Sequence, residues 1–262
     1  MNLNFKEKTV LITGGSKGIG LSIAESFLAE GAKVVMTSRD TGNLNSAVKN
    51  LIEKGFAKDH IQTVALDLSL SSACNSLYEQ FPSIDVLVNN AGAIPGGNIF
   101  EIDEVKWRNS WELKVFGYIN LTRLYLKKMQ ENKSGVICNI IGMAGVAPRY
   151  EYICGAAANS ALIAFTQGIG GASVRSGVRV FGINPSPTKS DRMESMMKKT
   201  ATDKFGDANR WMELTTGLPF GRMADPSEIA NLAVFACSDL CGYLSGTVIN
   251  VDGGQLFANA QK

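Results

Sequence analysis

Histidine is almost absent from this sequence, since His60 is the only one among its 262 residues. A histidine-rich metal site and a Ser-His-Asp triad both need that residue type, so the sequence argues against both, and we expect no metal. The five cysteines are odd in number and follow no disulfide spacing. We interpret them as reduced, mostly buried thiols of a cytoplasmic protein.

Long apolar runs and strong charge are missing as well. No stretch approaches the roughly 18 consecutive apolar residues of a membrane-spanning helix. The N-terminal MNLNFKEKTV lacks a cationic segment followed by an apolar run of signal-peptide length. The net charge of +2 is too small to predict nucleic-acid binding. We therefore expect a cytoplasmic protein with neither membrane nor nucleic-acid partners.

What the chain does contain is a regular alternation of short apolar runs and longer helical patterns. Strands that are apolar on both faces predict a parallel sheet covered by helices on both sides, which is an α/β fold. The sequence has no repeat, linker or low-complexity segment, so we expect one domain over residues 1–262. The predicted strands are Thr9–Thr13, Lys33–Ser38, Gln62–Leu66, Asp85–Asn90, Gly135–Ile141, Arg179–Asn184 and Thr247–Val251, and the clearest helices are Gly18–Glu30, Glu104–Gln130, Ala156–Val174 and Pro226–Ser238.

The first predicted strand runs into TGGSKGIG (13–20), which opens the first predicted helix. Glycines there permit a tight turn and close approach of a pyrophosphate, and the helix N-terminus supplies amide donors. An ordinary glycine-rich turn is the alternative, but the position between strand and helix favours a dinucleotide site. The residues expected to bind the cofactor in this loop are Gly14, Ser16, Lys17, Gly18, Ile19 and Gly20.

The end of the second predicted strand indicates which dinucleotide is bound. An acidic residue there would accept bonds from the ribose hydroxyls of NAD, whereas this chain has Ser38 and Arg39. Lys17 adds a second cation, and a 2′-phosphate attracts cations and hydroxyl donors. We predict NADP(H) over NAD(H), the alternative being that Lys17 and Arg39 are solvated surface charges.

Several motifs together resemble the short-chain dehydrogenase/reductase family over nearly the whole chain. Besides the glycine loop they are LDLS (66–69), NNAG (89–92), INPSPTKSD (183–191), GRMADPSEIA (221–230) and VDGG (251–254). The resemblance implies a doubly wound Rossmann-type sheet of about seven parallel strands and a homo-oligomer, either a dimer or a tetramer. It also implies that the cofactor contacts Asp67, Leu68, Asn90, Ala91, Gly92, Pro185, Ser186 and Thr188, with Ser186 at a position where the family usually has glycine.

The catalytic residues that the resemblance implies are missing from their positions. The family uses Asn, Ser, Tyr and Lys, with Tyr and Lys spaced as Y-x-x-x-K. An ungapped comparison places Lys114 at the Asn position, Gly142 at the Ser position, Gly155 at the Tyr position and Asn159 at the Lys position. Glycine can neither donate the proton that carbonyl reduction requires nor orient the substrate oxygen.

A rearranged catalytic set is our hypothesis for this site. Lys114 and Asn159 have exchanged residue types, and Tyr152 lies three residues before the lost tyrosine. We expect Tyr152 to donate the proton, Lys114 to be its electrostatic partner, and Asn159 to belong to the same network. The alternatives are that Tyr152 is a packing residue in a loop and Lys114 a surface lysine. Sliding the comparison by three residues would place Tyr152 at the family's tyrosine position, but the residues that follow it would then no longer match the family.

The segment 189–222 is a long polar insertion that corresponds to the family's substrate cap. Its methionines favour an apolar, fairly bulky substrate. Its cations Arg192, Lys198 and Lys199, with Arg149, would suit a carboxylate or an acyl-carrier phosphate, but we interpret most of these four charges as a solvated face. The sequence therefore predicts an NADP(H)-dependent oxidoreductase that acts on a small-molecule carbonyl or alcohol. An NADP(H)-binding pseudoenzyme or sensor, and a non-redox isomerase or dehydratase of the same fold, remain open.

Overall fold

A seven-stranded parallel sheet forms the centre of the computed structural model, which describes residues 1–258. The strand order is β3-β2-β1-β4-β5-β6-β7, and all six neighbouring pairs are parallel. The order reverses between β1 and β4, the point where doubly wound sheets bind ligands. The predicted Rossmann-type fold is confirmed. The strands are β1 Thr9–Thr13, β2 Lys33–Ser38, β3 Ile61–Ala65, β4 Val86–Asn89, β5 Gly135–Ile140, β6 Val178–Pro185 and β7 Val248–Val251.

Nine α-helices lie within the described residues. Three of the four predicted helices have nearly the observed bounds, and the fourth, Glu104–Gln130, is divided into α4 and α5 by a π-helical turn at Glu112–Phe116. The helices are α1 Gly18–Ala29, α2 Thr41–Glu53, α3 Ser71–Gln80, α4 Glu104–Trp111, α5 Gly117–Glu131, α6 Ile153–Ser173, α7 Asp191–Phe205, α8 Pro226–Cys237 and α9 Gln255–Ala258.

Successive side chains of the central strands enter two different cores. Val10 and Ile12 of β1 pack in one core with Phe27 of α1. Leu11, between them, packs in the other core with Tyr125 of α5. Strand side chains alternate between the faces of a sheet, so a strand that is apolar at every position needs helices on both sides. This is the reason the apolar runs in the sequence predicted a doubly covered sheet.

Helix α6 is apolar enough to need a separate explanation. Together with the turn that follows, the segment Ile153–Ser176 is long and apolar enough by composition to cross a bilayer. In this fold α6 packs along β6 and buries Cys154, Ala158 and Leu162 in the domain. Its composition is therefore accounted for by its place as a core helix.

The predicted insertion 189–222 is largely helical. It contains α7, a 3-10 helical stretch at Ala208–Gly217 and a short turn at Pro219–Gly221. Ser190 caps α7 by accepting a hydrogen bond from the Met193 amide at 3.1 Å. The cap fixes where α7 begins, and this places Asp191 and Arg192 in its first turn.

Candidate active site

The glycine loop joins β1 to α1 at the carboxyl edge of the sheet. Gly14 and Gly18 have φ of +64° and +53°, a region in which other residues are strained. A Cβ added at Gly20 would lie 2.5 Å from Asn90 Nδ2. Lys17 precedes α1, and no side chain caps the first amides of the helix. Those amides and the loop form a cradle of the kind that holds a pyrophosphate.

The loop after β4 is tied directly to this cradle. Asn90 Nδ2 donates to the carbonyls of Thr13 at 3.0 Å and Gly14 at 3.2 Å. The Ala91 amide donates to Thr13 Oγ1 at 3.0 Å. The structure thus brings together Gly14, Asn90 and Ala91, three of the residues predicted to contact the cofactor.

Each cation predicted to select the cofactor has a carboxylate near it. Lys17 Nζ lies 3.6 Å from Asp191 at the start of α7, and Arg39 lies 3.9 Å from Asp67. All four side chains of these two pairs are exposed, Asp67 the least of them, and Asp67 also accepts a hydrogen bond from Ser69 Oγ at 2.8 Å. Ser38 nearby is partly buried. Exposed pairs of this kind are weak, so both cations remain able to exchange partners for a phosphate.

The chain after β6 approaches the site from the other side. Pro185 ends β6, the Ser186 amide donates to the Val251 carbonyl at 3.0 Å, and the buried Thr188 donates its hydroxyl to the Ser186 carbonyl at 2.9 Å. These bonds fix the turn that leads into α7. The predicted cofactor contacts of Pro185, Ser186 and Thr188 remain predictions.

Two predicted cofactor residues have side chains that serve the core. Leu68 is buried against Cys74 and Leu77, and Ile19 packs on the core at α1. Any contact they make with a dinucleotide therefore comes from their backbone groups.

Lys114 is buried at the floor of the cleft, and only 8% of it is exposed. Its ammonium donates to the carbonyls of Ile140 at 2.7 Å and Ile141 at 3.2 Å, and to Tyr118 Oη at 3.1 Å. Burial, helped by the charge of Arg192, lowers the pKa of Lys114 from 10.5 to about 7. The alternative of a surface lysine is therefore wrong, because this amine is buried and is poised to titrate near neutrality.

Asn159 lies where the serine side chain is missing. A Cβ added at Gly142 would lie 2.9 Å from Asn159 Nδ2. Asn159 is 5% exposed. Gly142 itself has φ of +140°, which other residues seldom adopt. An amide nitrogen at this place is a donor that could bind an oxygen atom of a ligand.

The half-buried Tyr152 lies against Gly155 at the start of α6. A Cβ added at Gly155 would lie 2.5 Å from Tyr152 Oη. The phenol thus occupies the space next to the position from which the family's tyrosine would extend. Burial raises the pKa of Tyr152 above its ordinary value of 10.0, whereas the charge of Arg192 acts in the opposite direction.

Within residues 1–258 Lys114 and Tyr152 share no hydrogen bond, because the Lys114 ammonium donates to the Ile140 and Ile141 carbonyls and to Tyr118. The Arg192 guanidinium, on an exposed side chain, donates to the Gly92 carbonyl at 3.1 Å and also to the Ile94 carbonyl, which ties the start of α7 to the loop after β4. Sequence reasoning also missed Tyr118, the phenol that accepts from Lys114. Its spacing of four residues from Lys114 on a helix was the one available signal.

The family model of the short chain dehydrogenases matches residues 8–201. The chain is 32% identical over 263 residues to an uncharacterized oxidoreductase of Bacillus subtilis (strain 168), covering 97% of this chain and 98% of that one. It is 30% identical over 254 residues to the 3-oxoacyl-acyl-carrier-protein reductase of Chlamydia trachomatis, covering 94% of this chain and 96% of that one.

A solved structure of L-sorbose reductase from Gluconobacter frateurii, complexed with NADPH and L-sorbose, is similar over 98% of this chain and 99% of the other. The TM-score is 0.88 and the sequence identity 31%. The chain belongs to the short-chain dehydrogenase family.

Proposed function

We propose that this member of the short-chain dehydrogenase family is an NADP(H)-dependent oxidoreductase that interconverts a carbonyl and an alcohol on a small molecule. The observation that supports this most directly is the position of Asn159, a buried amide side chain beside Gly142. The family's catalytic residue types are missing from their positions in the sequence, but the Asn159 amide and the Tyr152 phenol lie next to two of those positions.

The residues of the cofactor cleft suit a dinucleotide. The cradle of Gly14, Gly18 and Gly20 has no room for added side chains at two of these positions, and it lies against uncapped helix amides. Lys17, Ser38 and Arg39 would hold a 2′-phosphate, and this is the basis for NADP(H) over NAD(H). The NADPH in the L-sorbose reductase complex agrees with that preference.

The bound nicotinamide supplies or accepts a hydride, and the rest of the chemistry falls to side chains of this protein. Tyr152 gives its hydroxyl proton to the substrate oxygen during reduction. Asn159 Nδ2 donates a hydrogen bond to the same oxygen and holds it in place. Lys114 contributes a cation whose charge varies near neutral pH. All three roles are proposals for this chain.

A second function is favoured by one observation, the presence of glycine at both Gly142 and Gly155. An NADP(H)-binding sensor would keep the dinucleotide cleft and need no proton donor. It would bind NADPH without turnover, and Tyr152→Phe would leave its ligand response intact. In either case we propose a cytoplasmic homo-oligomer.

Calorimetric titration with NADPH and, separately, NADH is the test of this function. Micromolar NADPH binding, clearly weaker NADH binding and loss of that difference in Arg39→Asp would support it. A screen of carbonyl substrates with the wild type and Tyr152→Phe then separates oxidoreductase from sensor. If neither NADPH nor NADH binds, both the oxidoreductase and the sensor function are overturned.

A further inference from the structure

We propose that Tyr118 is the positioning residue of Lys114, with a hydroxyl group that holds the amine in both of its protonation states. The inference rests on the proposed function, because it takes Lys114 as the titrating cation of the active site and concerns how pH regulates that cation. Tyr118 follows Lys114 by one helical turn, at the start of α5, and both side chains are buried. Tyr118 belongs to none of the motifs that carry the family resemblance.

The ammonium of Lys114 meets three oxygen atoms. It donates to the carbonyl of Ile140 at 2.7 Å, to the carbonyl of Ile141 at 3.2 Å and to Tyr118 Oη at 3.1 Å. A protonated lysine has three N–H groups and no acceptor, so these oxygens use its whole donor capacity. The charged form of Lys114 is therefore fully hydrogen-bonded although the residue is only 8% exposed.

The Tyr118 hydroxyl lies between two partners. Its oxygen is 2.9 Å from the carbonyl oxygen of Ile140 and 3.1 Å from Lys114 Nζ. A phenol donates one hydrogen and also accepts, so beside a protonated Lys114 it accepts from the ammonium and donates to Ile140. A neutral Lys114 offers a lone pair instead, and the same hydroxyl hydrogen can turn toward it. Burial raises the pKa of Tyr118 well above 10.0, so the hydroxyl keeps its own proton in both arrangements.

The other titratable and charged groups around this pair come from α7 and β5. Arg192 acts on the charge of Lys114, and Cys138 acts on Tyr118. Burial raises the pKa of the Cys138 thiol well above its ordinary value, and an arginine stays charged, so of these groups Lys114 is the one that titrates near neutrality. A Cβ added at Gly92 would lie 3.4 Å from Lys114 Nζ. The charge beneath the loop after β4 is therefore set by pH through the Lys114–Tyr118 pair.

The loss of a proton from Lys114 needs no rearrangement of the backbone. One N–H bond of the ammonium breaks, the electron pair stays on Lys114 Nζ, and the proton passes to water. The two remaining N–H groups keep the carbonyls of Ile140 and Ile141, and the Tyr118 O–H donates to the lone pair. The amine has three hydrogen bonds before and after the step, so it titrates while buried without an unpaired polar atom.

Lysine labelled with carbon-13 at Cε reports this titration by NMR without cofactor or substrate. The signal that is absent from Lys114→Met identifies Lys114, and its shift with pH gives a midpoint expected at about pH 7. Tyr118→Phe removes only the hydroxyl and should lower the midpoint by about one pH unit, a tenfold change in acidity. The reason is that a hydrogen bond from a charged donor is stronger than one to a neutral amine, so the charged form loses more. Circular dichroism confirms folding.

The matched control is Tyr125→Phe, a buried tyrosine of α5 whose hydroxyl lies 3.5 Å from the Leu77 carbonyl, and it should leave the midpoint unchanged. An unchanged midpoint in folded Tyr118→Phe would overturn the pairing. If Tyr118→Phe does not fold, adding Lys114→Met should restore folding, because it removes the ammonium that lost its acceptor, and a double variant that stays unfolded would overturn the pairing as well. A wild type that binds neither NADPH nor NADH would overturn the proposed function and leave this titration standing, so the two failures are distinguishable.

Discussion

The phenol ring of Tyr152 covers the α-carbon of Gly155, and a Cβ at Gly155 would lie 2.5 Å from the Tyr152 hydroxyl oxygen. Asn159 lies in the same way against Gly142, and an added Cβ at Gly92 would lie 2.5 Å from Lys114 Cδ. Each proposed catalytic side chain therefore occupies space that a glycine leaves open. Side chain and glycine depend on each other, so restoring one family residue alone should damage the site.

Gly155→Ala should destabilise the protein by about 1–3 kcal/mol, because the new methyl group overlaps the Tyr152 ring. Tyr152→Ala in the same chain should remove most of that penalty. Urea unfolding of the two single variants and the double variant measures the coupling. The control is Gly168→Ala on the exposed face of α6, where an added Cβ meets nothing within 4 Å. Helix propensity predicts that this control gains about 1 kcal/mol. If the changes in the free energy of unfolding simply add in the double variant, the new methyl group does not overlap the Tyr152 ring.

Gly142→Ser restores a family residue type, yet we expect it to lower stability by about 1–3 kcal/mol. The backbone at φ +140° strains any side chain, and the serine Cβ would meet Asn159 Nδ2 at 2.9 Å. Asn159→Ala should relieve the contact and leave the backbone strain. Thermal unfolding of each variant checks this, with Gly217→Ser as the control, since nothing lies within 4 Å of a Cβ there. Full recovery in the double variant would show that the backbone is not strained.

Lys114→Met should flatten the pH dependence of stability. In the folded chain Lys114 loses its proton at about pH 7, whereas its unfolded value is 10.5. Between those values the unfolded state binds the additional proton, so wild-type stability rises with pH through this window. Below about pH 7 the folded chain carries the full cost of burying the charged Lys114 ammonium, which is on the order of 3–5 kcal/mol.

Urea unfolding at several pH values from about 7 to 10 measures this slope in wild type and Lys114→Met. Lys127→Met, an exposed lysine of α5, should keep the wild-type slope. Equal slopes in wild type and Lys114→Met would mean that Lys114 stays protonated in the folded chain across this range.

Asp191→Asn should strengthen NADPH binding by about two- to fivefold, because it releases Lys17 from a carboxylate 3.6 Å away. NADH binding should change little, and the gain should shrink as salt is added. Calorimetry with both nucleotides measures the effect. Glu194→Gln is the control, since Glu194 pairs with Lys198 one turn further along α7. A loss of NADPH affinity in Asp191→Asn would mean that Asp191 itself helps to hold the cofactor.

The sheet was predictable from the sequence because its strands are apolar on both faces, and each strand was placed to within one or two residues. The contact of Tyr152 with Gly155 also follows from local geometry, since Tyr152 is the N-cap of α6 and Gly155 lies in the first turn of that helix. Arg192 could not be placed in this way. It lies 100 residues beyond Gly92 in the sequence, and only the folded path of α7 brings its guanidinium to the Gly92 and Ile94 carbonyls. A cation in a polar segment gives no local sign of which distant group it meets.

The π-helical turn at Glu112–Phe116 makes the side chain that faces the cleft sensitive to the length of the chain in this turn. Such a turn holds one residue more than an α-helical turn, and one residue corresponds to a rotation of about 100° around the helix axis. Removing a residue here would therefore swing α4 around relative to α5 while every strand kept its register. Lys114 lies inside this turn, so the gain or loss of a single residue is enough to change which side chain the helix presents to the cleft. The identity of that group can thus vary between related chains by a change of length as well as by substitution.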